Sequence, residues 1–353
     1  MKIAVDCRMF GASGIGAYIE ALVPFFLAKH DCVLIGTMHE LAQYKSKAEI
    51  CECSVKPFSL KELLAFPRTL RKKINSCDIY YTPYCNIPCG ITIPIYTTIH
   101  DIVFLDMPEL TSRLGVAVRR FFYQRAVNKS RVLFTVSKFS ASRIREKLNC
   151  KNLSIIVTYS ALPQHFSSKH SQDVQKNAQI LYVGNIKKHK GLHVLLAAFK
   201  KAQQRGLIAK LVIVGSADNF RTSDTTIMQE IDALPRDSVH FTGHISDDEL
   251  RDLYAQSRLL VQPSLYEGFG LPPLEAMSLG TRALISDIPV FKEIYGSFPV
   301  TFFASGNDDD LASKMIACMN DTMPLPEIDN VYSFERTSSI IFAAFSFYNR
   351  PVF

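Results

Sequence analysis

The sequence predicts an α/β protein made of two doubly wound parallel sheets, and three observations carry that expectation. Short β-branched runs alternate with amphipathic stretches along most of the chain, as strands joined by helical crossovers do. At 353 residues the chain has room for two domains of about 100–200 residues each, and 48% hydrophobic against 21% charged residues is enough to bury a core in both. The alternation also stops and restarts: residues 162–177 are polar and without apolar periodicity, as a linker is.

Taken in order, residues 2–6 read as a strand, 18–29 as a helix, and 32–36, 79–82, 95–99 and 132–136 as further strands. The second series runs strand 180–184, helix 192–204, strand 210–215, a helix near 226–233 and strand 239–242. Ser246 followed by Glu249 is a capping-box pair, which sets the start of a helix over 247–257. The expected division is a first domain over 1–165, a linker over 166–177, a second domain over 178–330 and a terminal helix over 331–353.

Composition narrows the function classes. No apolar run approaches the ~18–20 residues that cross a bilayer, and Met1 leads straight into a strand without a leader-like stretch, so a soluble or peripheral cytoplasmic protein is expected. Nine scattered cysteines suit reduced thiols. Neither Cys51 with Cys53 nor Cys85 with Cys89 has a second pair at zinc spacing, and no metal is expected. The net charge of +7 is uneven: residues 1–150 hold 21 Lys and Arg against 12 Asp and Glu, which leaves the rest slightly acidic. Clusters such as Arg68, Arg71, Lys72 and Lys73, or Arg113, Arg119, Arg120 and Arg125, suit an anionic partner, and solvated helix faces account for them equally well. Without an aromatic-basic or helix-turn-helix signature, nucleic acid is not the expected partner.

Four segments fall just after predicted strands, where open α/β sheets bind ligands. Gly11 to Tyr18 contains Gly14 and Gly16, which let backbone approach a phosphate, although a tight turn explains them as well. No third glycine completes the dinucleotide fingerprint, which argues against an NAD-dependent dehydrogenase. His100 and Asp101 directly follow another strand; the imidazole could bond a sugar or a reacting hydroxyl, Asp101 could fix it or address the acceptor, and a structural role is the alternative. Asn185, Lys187 and Lys190 lie in a Gly-rich turn whose cations suit a leaving diphosphate, with a solvated basic turn as the alternative. The strongest signal is Glu267-Gly268-Phe269-Gly270-Leu271 followed by Glu275. There two carboxylates and bare N–H groups can address sugar hydroxyls, phosphate and ribose.

With these residues in view, the chain resembles the retaining GT-B glycosyltransferases of family four, in particular the mannosyltransferase-like branch that builds bacterial O-antigen and other surface polysaccharides. The resemblance rests on Val5-Asp6-Cys7-Arg8 with Gly14-Ile15-Gly16, on Ile99-His100-Asp101, and on Thr135 to Ser140. It rests further on Lys190, on Glu267 with Glu275, and on the closing stretch Tyr332 to Thr337. It implies two Rossmann-like domains facing a central cleft, a nucleotide-sugar donor held by the second, and a glycan or polyprenyl-diphosphate-linked acceptor held by the first. Lys190 and Lys187 would meet the diphosphate, Glu275 the ribose, and Glu267 and His100 the transferred sugar, with no metal or other cofactor. Two positions depart from the pattern: Asn185 and Ala17 stand where many relatives carry arginine. A non-catalytic nucleotide-sugar-binding subunit and a nucleotide-sugar epimerase or hydrolase are the alternatives. The basic first domain suggests an anionic membrane surface as a further partner.

Overall fold

The computed structural model describes residues 1–11, 13–166, 175–185, 187–215, 230–231, 234–235, 237–326 and 328–349. The helix expected near 226–233 and most of the expected linker lie outside the described residues. The chain forms two units, Met1–Pro163 with Tyr332–Phe353, and Gln164–Val331.

The first unit holds a seven-stranded sheet. Its strands are β1 (Lys2–Asp6), β2 (Asp31–Gly36), β3 (Glu49–Glu52), β4 (Ile79–Thr82), β5 (Ile95–Thr98), β6 (Val132–Thr135) and β7 (Ser154–Val157). Every pairing is parallel, in the order β3-β2-β1-β4-β5-β6-β7. Residues such as Ile3, Ala4, Val33, Leu34, Tyr80 and Leu133 are fully buried because helices cover both faces, which is why parallel strands read as continuous apolar runs. The helix Phe334–Tyr348 packs in this unit: Phe345 meets Tyr96 at 4.6 Å, Phe342 meets Phe26 at 5.1 Å, and the Thr337 hydroxyl donates to the Thr158 carbonyl at 3.1 Å.

The second unit holds β8 (Asn177–Val183), β9 (Lys210–Val214), β10 (Val239–Phe241), β11 (Ser257–Gln262), β12 (Arg282–Ser286) and β13 (Thr301–Phe303). They form an all-parallel sheet in the order β10-β9-β8-β11-β12-β13. The helix Leu192–Gln204 buries Leu195, Leu196 and Phe199 against Ile180, Ile213 and Leu259. Ser246 and Glu249 make the expected reciprocal cap on the helix Asp247–Gln256, with the Ser246 backbone N–H donating to the glutamate at 2.7 Å.

One expectation changes. The first helix spans Ser13–Lys29, so Gly14 and Gly16 lie in its opening turns and not in a preceding loop. A Cβ on Gly16 would overlap the Met9 carbonyl oxygen, so this glycine lets the helix sit against the chain that leads into it. Gly14 has open space beside it.

Candidate functional site

In each sheet the strand order turns back on itself beside the first strand, between β1 and β4 and between β8 and β11. Such a switch point leaves a crevice at the strands' carboxyl ends, where ligands bind in open α/β sheets. In the second unit the two flanking loops carry the Lys190 and Glu267 segments. After β8, residues Lys188–Lys190 form one tight turn closed by Gly191 at φ 70°. A side chain on Gly191 would run into the Pro263 carbonyl of the loop after β11. Leu265 N–H also donates to the His189 carbonyl at 2.8 Å, so backbone contacts tie the two loops together.

That tie sets Lys190 beside Glu267. Its Nζ donates to Oε1 at 2.7 Å and to Oε2 at 2.8 Å. Ser264 Oγ donates to the same Oε1 at 2.8 Å, and Gln262 Nε2 donates to Ser264 Oγ at 3.1 Å. Glu267 is buried, whereas the Lys190 side chain keeps 20% of its surface exposed, so lysine is the more accessible member of the pair. The buried Tyr182 hydroxyl is held protonated by burial and by the charge of Glu267.

The turn that follows is fixed by packing. Gly270 adopts φ 83°, a Cβ there would meet the Phe291 ring, and the Tyr295 hydroxyl donates to the Gly270 carbonyl. Gly268 and Phe269 are buried, and Leu271 begins the short helix Pro272–Ser278. Glu275 lies on that helix and accepts from the Tyr254 hydroxyl at 2.6 Å. Burial pushes its carboxyl up to about 7, although the bond from Tyr254 pulls the other way. Asn185 and Lys187 are exposed on the loop after β8.

His100 and Asp101 belong to the first unit. His100 Nε2 bonds the Pro83 carbonyl at 3.0 Å, which assigns the proton to that nitrogen. Its ring stands edge-on to Tyr18 at 4.7 Å, and burial lowers its pKa to about 4, so the imidazole is neutral at pH 7. Asp101 Oδ1 accepts from Val103 N–H at 3.0 Å. Ser137 caps the helix Lys138–Lys147, and Ser140 Oγ donates to the His100 carbonyl at 2.9 Å, so that segment supports the histidine.

The first unit's own switch point is filled by a buried network. Arg8 donates to Asp6 through Nε at 2.9 Å and Nη2 at 2.6 Å, and to Glu62 through Nη2 at 2.5 Å. Tyr80 and Tyr84 donate to Asp6 Oδ2 at 2.5 and 3.0 Å, and Asn86 donates to Glu62. Burial raises the Glu62 carboxyl above its ordinary range against the pull of Arg8. Sequence reasoning missed Glu62, Gln262, Ser264 and Tyr254, whose roles depend on partners that only the fold brings near.

Among the described residues, no group of three or more His, Cys, Asp or Glu could hold a metal ion, and no helix is long and apolar enough to cross a membrane. Residues 164–330 match the family described as glycosyl transferases group 1. The match is confined to the second unit, and residues 164–330 are the group 1 glycosyltransferase domain. It is 27% identical over 248 residues to O-antigen chain mannosyltransferase B of Escherichia coli, covering 67% of this chain and 64% of that protein. It is 30% identical over 207 residues to O-antigen chain mannosyltransferase RfbU of Salmonella typhimurium, covering 58% of this chain and 56% of that protein. The matches thus span less than two thirds of either relative. In fold, the chain is similar to Anabaena Alr3699/HepE in complex with UDP and glucose, at a TM-score of 0.68 and 17% identity over 99% of this chain and 97% of that one. It is also similar to sucrose-phosphate synthase from Thermosynechococcus elongatus, at 0.69 and 15% over 99% and 96%. The fold is of the GT-B class, two parallel-sheet Rossmann-like units.

Proposed function

We propose that this protein is a retaining, metal-independent glycosyltransferase. It moves a mannose-like hexose or deoxyhexose from a nucleotide-diphosphate donor, GDP-linked in the favoured form, to a glycan or polyprenyl-diphosphate-linked acceptor. The observation that carries this reading is the Lys190 and Glu267 pair at the switch point of a group 1 domain, with the glutamate buried and the lysine side chain partly exposed. In it, Lys190, with Lys187 on the same loop, meets the charge that develops on the departing diphosphate. Glu267, steadied by Ser264, bonds hydroxyls of the transferred sugar, Gly268 to Leu271 offer backbone to the phosphates, and Glu275 accepts from the ribose diol. The acceptor oxygen bonds to the anomeric carbon on the face from which the diphosphate leaves, and its proton passes to the leaving phosphate. His100 of the first unit is neutral and, with its Nε2 proton committed to the Pro83 carbonyl, can only accept, through Nδ1.

A thermal-shift screen of nucleotide-sugars, followed by nucleotide release with and without acceptor, tests the reading. A donor at about a hundred times its Kd should stabilise the fold by about 2.7 kcal/mol. Nucleotide should then appear only when acceptor is present. Donor conversion without acceptor would establish an epimerase or hydrolase, and binding without transfer to any lipid-linked or free glycan would leave a binding subunit.

A further inference from the structure

The first unit carries an apolar surface that the reading above does not use. In the helix Arg113–Lys129 one face is buried through Phe122, Ala126 and Val127, while Leu114, Val118 and Phe121 stand 74%, 45% and 56% exposed. Their spacing of four and then three residues puts them in one stripe along the solvent side. Arg113 and Arg120 lie along one edge of that stripe, Arg120 exposed but donating through Nη1 to the Lys147 carbonyl at 2.8 Å, and Lys129 lies near its end. From Leu110 to Arg145 the sequence holds nine Lys and Arg and no Asp or Glu, with Glu109 and Glu146 just outside, so the charge along the helix itself is positive. A second apolar segment adjoins it. Phe58 is half exposed and its ring lies 6.4 Å from Phe122, which touches Phe121 at 5.6 Å. Leu60 and Leu64, one helical turn apart, are more than 70% exposed, with Lys61 between them.

We propose that this face docks on an anionic lipid bilayer, with Leu114, Val118 and Phe121 entering the headgroup boundary and Arg113 and Arg120 meeting lipid phosphates. An exposed apolar stripe costs solubility and is retained where something covers it. Charge complementarity selects the occupant: a helix apolar on one side, cationic along its edges and free of carboxylates fits an acidic surface rather than a second, equally cationic copy of itself. The proposal deepens the functional reading by stating where a lipid-linked acceptor would be met, and it rests on that reading for this consequence alone.

The test is flotation of the full chain with phosphatidylcholine vesicles and with vesicles containing phosphatidylglycerol, followed by a donor thermal shift. Wild type should bind the anionic vesicles and lose binding in high salt. L114Q/V118Q/F121Q should weaken that binding about tenfold or more. R113Q/R120Q should weaken it on the order of tenfold and flatten the salt dependence. All five side chains are exposed and, of them, Arg120 also donates to the Lys147 carbonyl, so both variants should keep the donor shift, the triple variant the wild-type melting temperature and R113Q/R120Q all but a small part of it, and a failed functional reading leaves this result intact. Equal binding by wild type and the triple variant, or equal binding to neutral and anionic vesicles, overturns the proposal. So does a wild-type dimer in solution that the triple substitution converts to monomer.

Discussion

The two switch points share a topology and differ in what fills them. In the first unit, the ends of β1 and β4 meet in a closed network in which Arg8 donates to Asp6 and Glu62 and the two carboxylates accept from three further side chains, all of them buried. In the second, the ends of β8 and β11 meet in a pair whose lysine side chain remains a fifth exposed. The strand order nominates both places for a ligand, but only a site with an accessible charge can meet an incoming anion. The buried network instead fixes where the segment around Phe58 and Glu62 attaches to the sheet, since Phe58 N–H and Asn86 both donate to Glu62.

The largest test of that contrast is Arg8→Met. Removing the one cation leaves Asp6 and Glu62 buried together, and urea unfolding should show a loss of about 3–5 kcal/mol in the first unit, with nucleotide binding by the folded chain unchanged. A loss below about 1 kcal/mol would mean that the network does not hold the first switch point closed. Next comes the second unit. Lys190→Ala and Glu267→Ala should each lower turnover about 10²–10³-fold with the fold retained. The double variant should be little worse than the poorer single one, because the two side chains act as a unit. Unchanged turnover in both single variants removes the site from the reaction, and losses that multiply would mean that the two residues act independently.

The same contrast shows what the sequence made legible. The inner strands were readable because burial on both faces leaves runs such as those in β4 and β9 with almost no polar interruption. The edge strands β3 and β7 were not: residues 49–52 hold only two apolar residues between exposed glutamates, and every residue of β7 is only partly buried. The central strand β11 was hidden for another reason, because Ser257 both ends a helix and begins the strand, and the apolar run is only three residues long. At the site, Lys190, Glu267 and Glu275 stood out because glycines and prolines mark their turns. Gln262, Ser264 and Tyr254 act only through a neighbour, and neither composition nor period carries that information. Asp6 and Arg8 were visible as a pair, but Glu62 stands 54 residues away and reaches them only because the chain after β3 folds back over the end of β1. Gly14 and Gly16 misled the helix boundary, since a glycine needed for close packing inside a helix looks in sequence like one that ends a loop.

The smallest expected effect sharpens the comparison most, because it concerns a proton. Burial holds the Glu275 carboxyl at about 7, above the ordinary carboxylate value of 4.5. The folded state therefore favours the protonated form, and the stability this contributes is full below the ordinary value and lost as pH climbs through about 7. Wild type should melt progressively lower between pH 5 and pH 8, and Glu275→Gln, which cannot ionise, should flatten part of that fall. A ribose diol asks for the opposite state, since two hydroxyl donors are best met by a carboxylate. Nucleotide affinity should accordingly tighten as pH rises through about 7, by up to about tenfold per unit on the acid side, with one proton released on binding. In Glu275→Gln the pH dependence should vanish and affinity should fall by about tenfold at pH 8, where one charge-assisted acceptor is lost. Isothermal titration in two buffers of different ionisation enthalpy reads both quantities. If wild-type affinity is flat from pH 6 to pH 8, Glu275 does not hold the nucleotide, and its bond to Tyr254 is a packing contact between two helices.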